Sequence, residues 1–289
     1  MSLKKTYICG CVRDCDKHLN SVFKNIETIA GMFDDYHILM AFDTSADLSL
    51  KTLCEQKRKF GKKMEILINR EPLHDLRTVR IANARNTLLN RVNELNELEE
   101  YTDFGYIIMI DMDDVCSATM QPEVLQKVIQ AERDGVPGNW DALSFNRPGY
   151  YDVWALSVDP CFFSCWHFAR GRDVVKQMRQ YIDTLLKDVP KGEVMPCISA
   201  FNGFAIYRNN GRFMDPLTKA FIQYEGVVSK TLELMPHQWI EATAKAADQP
   251  ISLHRPDECE HRPFHLRAIL LNNARICISP ECLFTEWYE

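Results

Sequence analysis

The string Asp111-Met112-Asp113-Asp114, directly after the apolar run Ile107-Ile108-Met109-Ile110, has the residue types and spacing for metal or phosphate chemistry. In an extended chain alternate side chains point the same way, so the carboxylates of Asp111 and Asp113 converge on one side. Two such groups repel each other unless a cation or a basic side chain neutralises them, and hard oxygen ligands suit Mg²⁺ or Mn²⁺, which would then hold a phosphate. A solvated acidic cluster capping the next helix has the same composition. The apolar residues before Asp111 favour a strand end, where open α/β sheets bind ligands. Upstream, Arg80-Ile81-Ala82-Asn83-Ala84-Arg85-Asn86 puts Arg85 on or beside the apolar stripe of a helix. A guanidinium there needs an anion, either the Asp cluster or a bound diphosphate, unless its stem runs along the protein edge with its head in water. Arg13 and Asp43 each end an apolar run. A nucleotide base or ribose would be met at such positions, and a simple salt bridge forms there equally well. Late in the chain comes Glu260-His261-Arg262-Pro263-Phe264-His265, where a His read on its own belongs to a surface or a loop.

These groups have to be carried by elements, and over the first half short β-type runs alternate with helical stretches, the pattern of a parallel sheet with helices on its faces. Strands are expected at Tyr7 to Val12, Tyr36 to Phe42, Met64 to Ile68 and Tyr106 to Ile110. Helices are expected from about Lys17 to Gly31, with Asp16 as cap, from about Leu48 to Gly61, and from about Leu76 to Leu98. Leu19, Val22, Phe23, Ile26 and Ile29 give the first helix one apolar face, and Ile81, Leu88, Val92 and Leu95 form a stripe on the third. The second half is less regular. It offers a helix from Pro122 to Arg133, a turn at Gly135-Val136-Pro137-Gly138, a strand from Asp141 to Phe145 and a helix from about Asp173 to Leu186. Cys197 to Tyr207 reads as one strand interrupted at Gly203, where the backbone bends or closely approaches something. Tyr150, Tyr151, Trp154, Phe162, Phe163, Trp166 and Phe168 crowd together as a core, or as a wall on which Trp154 and Trp166 stack on sugar rings.

Composition narrows the function classes. With 46% hydrophobic and 26% charged residues, 12 Gly and 13 Pro, the 289-residue chain is globular and long enough to need no covalent staples. Its 34 basic and 40 acidic residues give a net charge of −6, no footprint for a polyanion, so nucleic acid is not expected as a partner. No run approaches the ~20 apolar residues of a transmembrane segment, and the first apolar stretch is too short for a signal-peptide core. There is no Asn-x-Ser/Thr sequon, and 11 cysteines, an odd number, include Cys9, Cys11 and Cys15 around a strand-like segment that reads as buried thiols. A soluble cytoplasmic protein, or the catalytic fragment of an anchored parent, is the expectation. Zinc would have to draw on Cys161, Cys165 and His167 or on Cys9, Cys11 and Cys15, none spaced as Cys-x-x-Cys.

Two resemblances give these residues roles. Asp111 to Val115 matches the Asp-x-Asp-x-Val nucleophile motif of haloacid-dehalogenase-like phosphatases, which would make Asp111 the phosphoryl acceptor. In that family the motif follows the first strand of the core, whereas here three strand-and-helix units precede it. The succession Arg-x-Ala-x-Ala-Arg-Asn, apolar strand, Asp-Met-Asp-Asp and then Tyr150-Tyr151-Asp152-Val153-Trp154-Ala155-Leu156 resembles metal-dependent glycosyltransferases of the GT-A fold. The nearest match is the fungal capsule-associated mannosyltransferase-like group, with a more distant similarity to fungal Golgi mannan-chain enzymes. Phe201-Asn202-Gly203-Phe204-Ala205-Ile206-Tyr207 resembles their Gly-containing segment near donor and acceptor, and Cys259-Glu260-His261 their late Cys-Glu-His. The similarity runs from about Tyr7 to Leu266. Ser157 departs from it, standing where the family favours Arg.

The resemblance implies an α/β, Rossmann-like single GT-A-like domain over residues 1–289. Its central sheet would be mostly parallel and flanked by helices, with a smaller mixed acceptor-side region. Residues 1–115 would bind the nucleotide sugar and 116–289 the acceptor. Mn²⁺ or Mg²⁺ would be held by Asp111, Asp113 and His261, with Asp114 and His265 in reserve. A UDP- or GDP-sugar donor would meet Arg13, Asp43, Arg85, Asp111, Asn202 and Gly203. Asp152 or Glu260 would orient or deprotonate a hydroxyl of a glycan or other acceptor. The competing expectations are the phosphatase and a non-catalytic nucleotide-sugar or glycan-binding module.

Overall fold

The computed structural model describes residues 5–101, 103–136, 138–168 and 171–285. In β1 (Lys5–Val12) and β4 (Phe104–Asp111) almost every residue is buried because alternate side chains enter two different cores. Tyr7, Cys9, Ile107 and Met109 pack on one face of the sheet, and Ile8, Ile108 and Ile110 on the other. The first core is closed by α1 (Asp16–Ala30) and α4 (Pro122–Arg133), through Leu19, Phe23, Ile26, Leu125 and Ile129. The second is closed by α3 (Arg77–Asn96) and α8 (His261–Asn272), through Leu88, Val92, Leu95, Phe264 and Ala268.

The other elements are β2 (Tyr36–Phe42), α2 (Ser49–Phe60), β3 (Met64–Ile68), β5 (Ala142–Asn146), α5 (Gly171–Lys187), β6 (Met195–Cys197), β7 (Phe204–Arg208), α6 (Val228–Leu234), α7 (His237–Ala246) and β8 (Ile276–Cys282). All eight strands form one sheet in the order β3-β2-β1-β4-β7-β5-β8-β6. β1 to β4 are mutually parallel, β7 runs antiparallel between β4 and β5, β8 is parallel to β5, and β6 is antiparallel to β8. The fold is thus α/β, a mostly parallel sheet between helices, with the mixed part confined to the second half of the chain.

Every strand and helix expected in the first half is present, and two readings need correction. Asp16 does not cap α1: Cys15 precedes the helix, and the Asp16 carboxylate instead accepts the Thr52 hydroxyl from α2. The single strand expected over Cys197 to Tyr207 is two strands in different parts of the sheet. Asn202 at φ +56° and Gly203 at φ +85° turn the chain between them. The crowded aromatics are mostly core, with Tyr150, Phe162, Phe163 and Phe168 buried. All eleven cysteines are free, Cys9 and Cys15 buried and Cys11 partly so. Of the turn expected at 135–138, Pro137 lies outside the described residues. Among the described residues no helix is long and apolar enough to cross a membrane.

Candidate functional site

The strand order 3-2-1-4 reverses direction between β1 and β4, which opens a crevice at the carboxyl ends of the parallel strands. A cleft of about 330 Å³ occupies it. Its walls set Arg13, Arg77, Arg80 and Arg85 against Asp14, Asp43, Asp111 and Asp113. Arg13 follows β1 and pairs with its neighbour Asp14, Nε to Oδ2 at 3.4 Å. Asp43 follows β2; its backbone N–H donates to Val12 O at 3.0 Å and its Oδ1 accepts the Asn69 amide at 2.6 Å. Both therefore lie at the cleft, Arg13 in a strand-end salt bridge and Asp43 bonded to an amide and the backbone.

One wall is a face of α3. Arg77, Arg80, Ile81, Ala84 and Arg85 recur at helical spacing and all line the cleft. Ile81, expected on the buried stripe with Leu88, is turned to the cleft instead and is only half-buried. Arg77 and Arg80 were not among the expected site residues; their signal was their place on the same face as Arg85. Arg80 Nη1 donates to His74 O at 2.8 Å, whereas Arg77 is exposed. The first turn of α3 is held by the loop before α6, where Thr78 Oγ1 donates to Gly226 O at 2.7 Å.

Asp111 ends β4 and Asp113 begins the turn after it. Met112 between them is 2% exposed and turned inward over Gly10, where an added Cβ would lie 2.6 Å from the Met112 sulfur. That alternation leaves both carboxylates lining the cleft. Asp111 donates its N–H to Gly203 O at 2.8 Å, and its Oδ1 accepts from Arg85 Nη2 at 3.3 Å. Asp113 Oδ1 accepts the Val115 N–H at 3.2 Å. Burial pushes the Asp111 carboxyl above the usual carboxylate range and the neighbouring Asp113 pushes it further, while Arg85 opposes the rise. Asp113 is raised likewise, by burial and then by Asp114. Such a pair holds a proton or gains a cation, and two acidic oxygen donors fit a hard divalent ion completed by phosphate oxygens and water.

The third expected ligand does not join them. His261 is 1% exposed at the start of α8, stacked on Phe201 with ring centroids 4.0 Å apart, and neither ring nitrogen has a hydrogen-bond partner. His265 cannot replace it, since Nδ1 meets Ser199 Oγ at 3.0 Å and Nε2 meets Tyr207 Oη at 3.1 Å. Among the described residues no three His, Cys, Asp or Glu side chains are grouped to hold a metal, so neither imidazole completes a site with Asp111 and Asp113. These imidazoles are buried, not on a surface or loop, and burial drives the pKa of each well below its usual value, His265 to about 3.

The remaining expected residues lie behind the cleft. Asn202 uses its whole amide as a brace: Nδ2 donates to Phe145 O at 2.9 Å and Oδ1 accepts the Asp152 N–H at 3.0 Å. Gly203 supplies its carbonyl to Asp111, so the Asn202-Gly203 pair supports the acidic cluster from below and does not line the cleft. Glu260 is 5% exposed and accepts Arg85 Nε at 3.0 Å. Asp152 is half-buried, caps a turn by accepting the Ala155 N–H at 3.0 Å, and burial, helped by Glu260, raises its pKa to about 6. Trp154 packs at 5.1 Å against Trp166, which is 42% exposed beneath the Arg255 guanidinium.

No protein-family model matches the chain, and no curated protein matches it. Its likeness to solved structures is one of remote overall shape. S. aureus TarS 1-349 in complex with UDP is 12% identical with a TM-score of 0.48, over 99% of this chain and 61% of that one. The same protein with UDP-GlcNAc gives 13% and 0.45, over 99% and 59%. Glucosyl-3-phosphoglycerate synthase from Mycobacterium tuberculosis, in complex with Mn²⁺, UDP and glucosyl-3-phosphoglycerate, gives 9% and 0.40, over 73% and 59%. The chain thus spans about three fifths of the length of these proteins.

Proposed function

We propose that the protein is a glycosyltransferase that moves a sugar from a UDP- or GDP-sugar to a hydroxyl of a glycan or other acceptor. The observation that carries this reading is the pairing of two buried, mutually repelling carboxylates, Asp111 and Asp113, with an arginine-lined wall at the switch point of the sheet. The resemblance of the succession of motifs to that of GT-A enzymes supports this reading. Mn²⁺ or Mg²⁺ held by Asp111 and Asp113 would neutralise the diphosphate leaving group.

Arg77 and Arg80 stand on the same wall and suit the phosphate oxygens. Asp43 and Arg13, at the ends of β2 and β1, suit the ribose and base. Asp152, behind the cleft lining but near enough to Asp111 to raise its pKa, would take the proton of the acceptor hydroxyl as its oxygen bonds to the anomeric carbon and the bond to the diphosphate breaks. A carboxyl with a pKa near 6 is mostly ionised at neutral pH yet basic enough to accept that proton. An acceptor sugar that stacks on Trp166 would take the place of the Arg255 guanidinium over that ring.

A thermal-shift panel of UDP, GDP and their sugar conjugates, with and without Mn²⁺, tests the donor site. A nucleotide at 100 times its dissociation constant stabilises by about 2.7 kcal/mol. The expected result is a shift that needs both one nucleotide and Mn²⁺ and is lost in Asp113→Asn, whose turnover falls by ~10² or more. An Asp111 adduct with beryllium fluoride, together with no nucleotide shift, would establish the phosphatase instead. Binding of nucleotide sugar without its consumption would identify a binding module.

A further inference from the structure

Arg85 is 5% exposed, and its guanidinium lies 4.5 Å from the ring centre of Phe201. It is shared between two carboxylates, Nε donating to Glu260 Oε1 at 3.0 Å and Nη2 to Asp111 Oδ1 at 3.3 Å. The Glu260 bond is the shorter, and Glu260 is the more enclosed partner, its side chain 7% exposed against 25% for Asp111. One positive charge is therefore divided. If Glu260 were absent, the full charge of Arg85 would fall on Asp111 and neutralise the carboxylate that a cation needs. With Glu260 present, the buried Arg85–Glu260 pair is close to neutral, so Nη2 can fix the Asp111 rotamer without cancelling its charge.

We infer that Glu260 is a positioning residue that sets the divalent-cation affinity of Asp111 through Arg85, and does not act on the acceptor. The inference rests on the proposed cation site and assigns the residue before α8 as partner to a group on β4. Partners one step behind a metal ligand typically alter metal affinity by about 10- to 100-fold.

The test titrates Mn²⁺ into wild type, Glu260→Gln and Glu260→Asp, with UDP or GDP present and absent. Free Mn²⁺ is followed by its paramagnetic resonance signal, and metal-free melts check the fold. The inference expects Glu260→Gln to need about tenfold more Mn²⁺, Glu260→Asp to fall between it and wild type, and lost turnover to be recovered by added Mn²⁺. Wild-type Mn²⁺ affinity in Glu260→Gln, with turnover lost at every Mn²⁺ concentration, would overturn it and return Glu260 to the acceptor. If Glu260→Gln does not fold, Glu260→Asp and Arg85→Lys decide: the lysine keeps the charge but loses the two-carboxylate fork and is expected to weaken Mn²⁺, and unchanged affinity in both overturns the inference. Mn²⁺ binding that depends on Glu260 without any nucleotide binding sinks the transferase reading and leaves the inference standing. A wild type that binds neither sinks both.

Discussion

Asp152 offers a measurable case of a carboxyl raised by its surroundings. Its pKa of about 6 lies above the ordinary 3.8, so the folded state prefers the protonated form. Stability should therefore fall as pH rises from the ordinary carboxylate range through 6, and level off above it. At 1.36 kcal/mol per unit this amounts to about 3 kcal/mol. Asp152→Asn keeps an acceptor for the Ala155 N–H and does not titrate. Its melts should match wild type near pH 4 and exceed it near pH 7.5, while its turnover loses the limb centred near pH 6. A variant less stable than wild type at both pH values would refute the account. The same scale shows what a sequence can reveal of a site. Asp111 and Asp113 were legible because their convergence is a property of three consecutive residues. Arg85 was legible as a buried cation in want of an anion, but half of the answer, Glu260, stands 175 residues away. His261 looked like a surface or loop residue for the same reason, since its burial comes from distant partners, Phe201 and Tyr224.

Among the elements, the segment between β6 and β7 supports the cleft from behind through the Gly203 carbonyl. Gly203 sits at φ +85°, and a Cβ there would lie 2.4 Å from Val115 Cγ1 and 3.4 Å from Cys116 Sγ. Gly192 has nearly the same φ, +86°, with nothing within 4 Å, so Gly192→Ala measures the backbone cost alone. That cost is expected at about 1 kcal/mol, whereas Gly203→Ala should cost about 3 kcal/mol or more because the clash is added. Since the Gly203 carbonyl holds the Asp111 N–H, Gly203→Ala should also abolish the Mn²⁺-dependent nucleotide shift, which Gly192→Ala leaves intact. Equal melting temperatures in the two variants would refute the close-approach argument. The apolar run across this segment looked like one strand because periodicity reports burial and not the positive φ of Asn202 and Gly203. α8 escaped notice for a related reason. His261, Arg262, Pro263, Phe264, His265, Leu266 and Ala268 are all buried, so it has no polar face to set a helical period.

At the scale of the molecule, the question is whether the halves before and after β4 stand or fall together. The parallel strands of the first half were legible from their sequential alternation with helices, but the β4–β7 seam was not, because its antiparallel register joins segments about a hundred residues apart. That seam lies mid-sheet with both cores running across it: Ile8, Leu143 and Phe204 share one, Met109, Ala205 and Ile276 the other. A sheet so buried should unfold as one unit. The tryptophans make this testable, since all five, at positions 140, 154, 166, 239 and 287, follow β4 in the chain. Their fluorescence reports the second half, while far-ultraviolet circular dichroism reports the whole. Ile38 is fully buried in β2, and Ile38→Ala should cost about 2 to 5 kcal/mol. If the seam transmits that loss, the fluorescence and dichroism midpoints fall together by the same amount. A fluorescence midpoint that stays at the wild-type temperature while the dichroism splits would mean that the halves fold separately. In that event the cleft, built almost wholly from β1, β2, α3 and β4, would lose its nucleotide shift at temperatures where the second half is still folded.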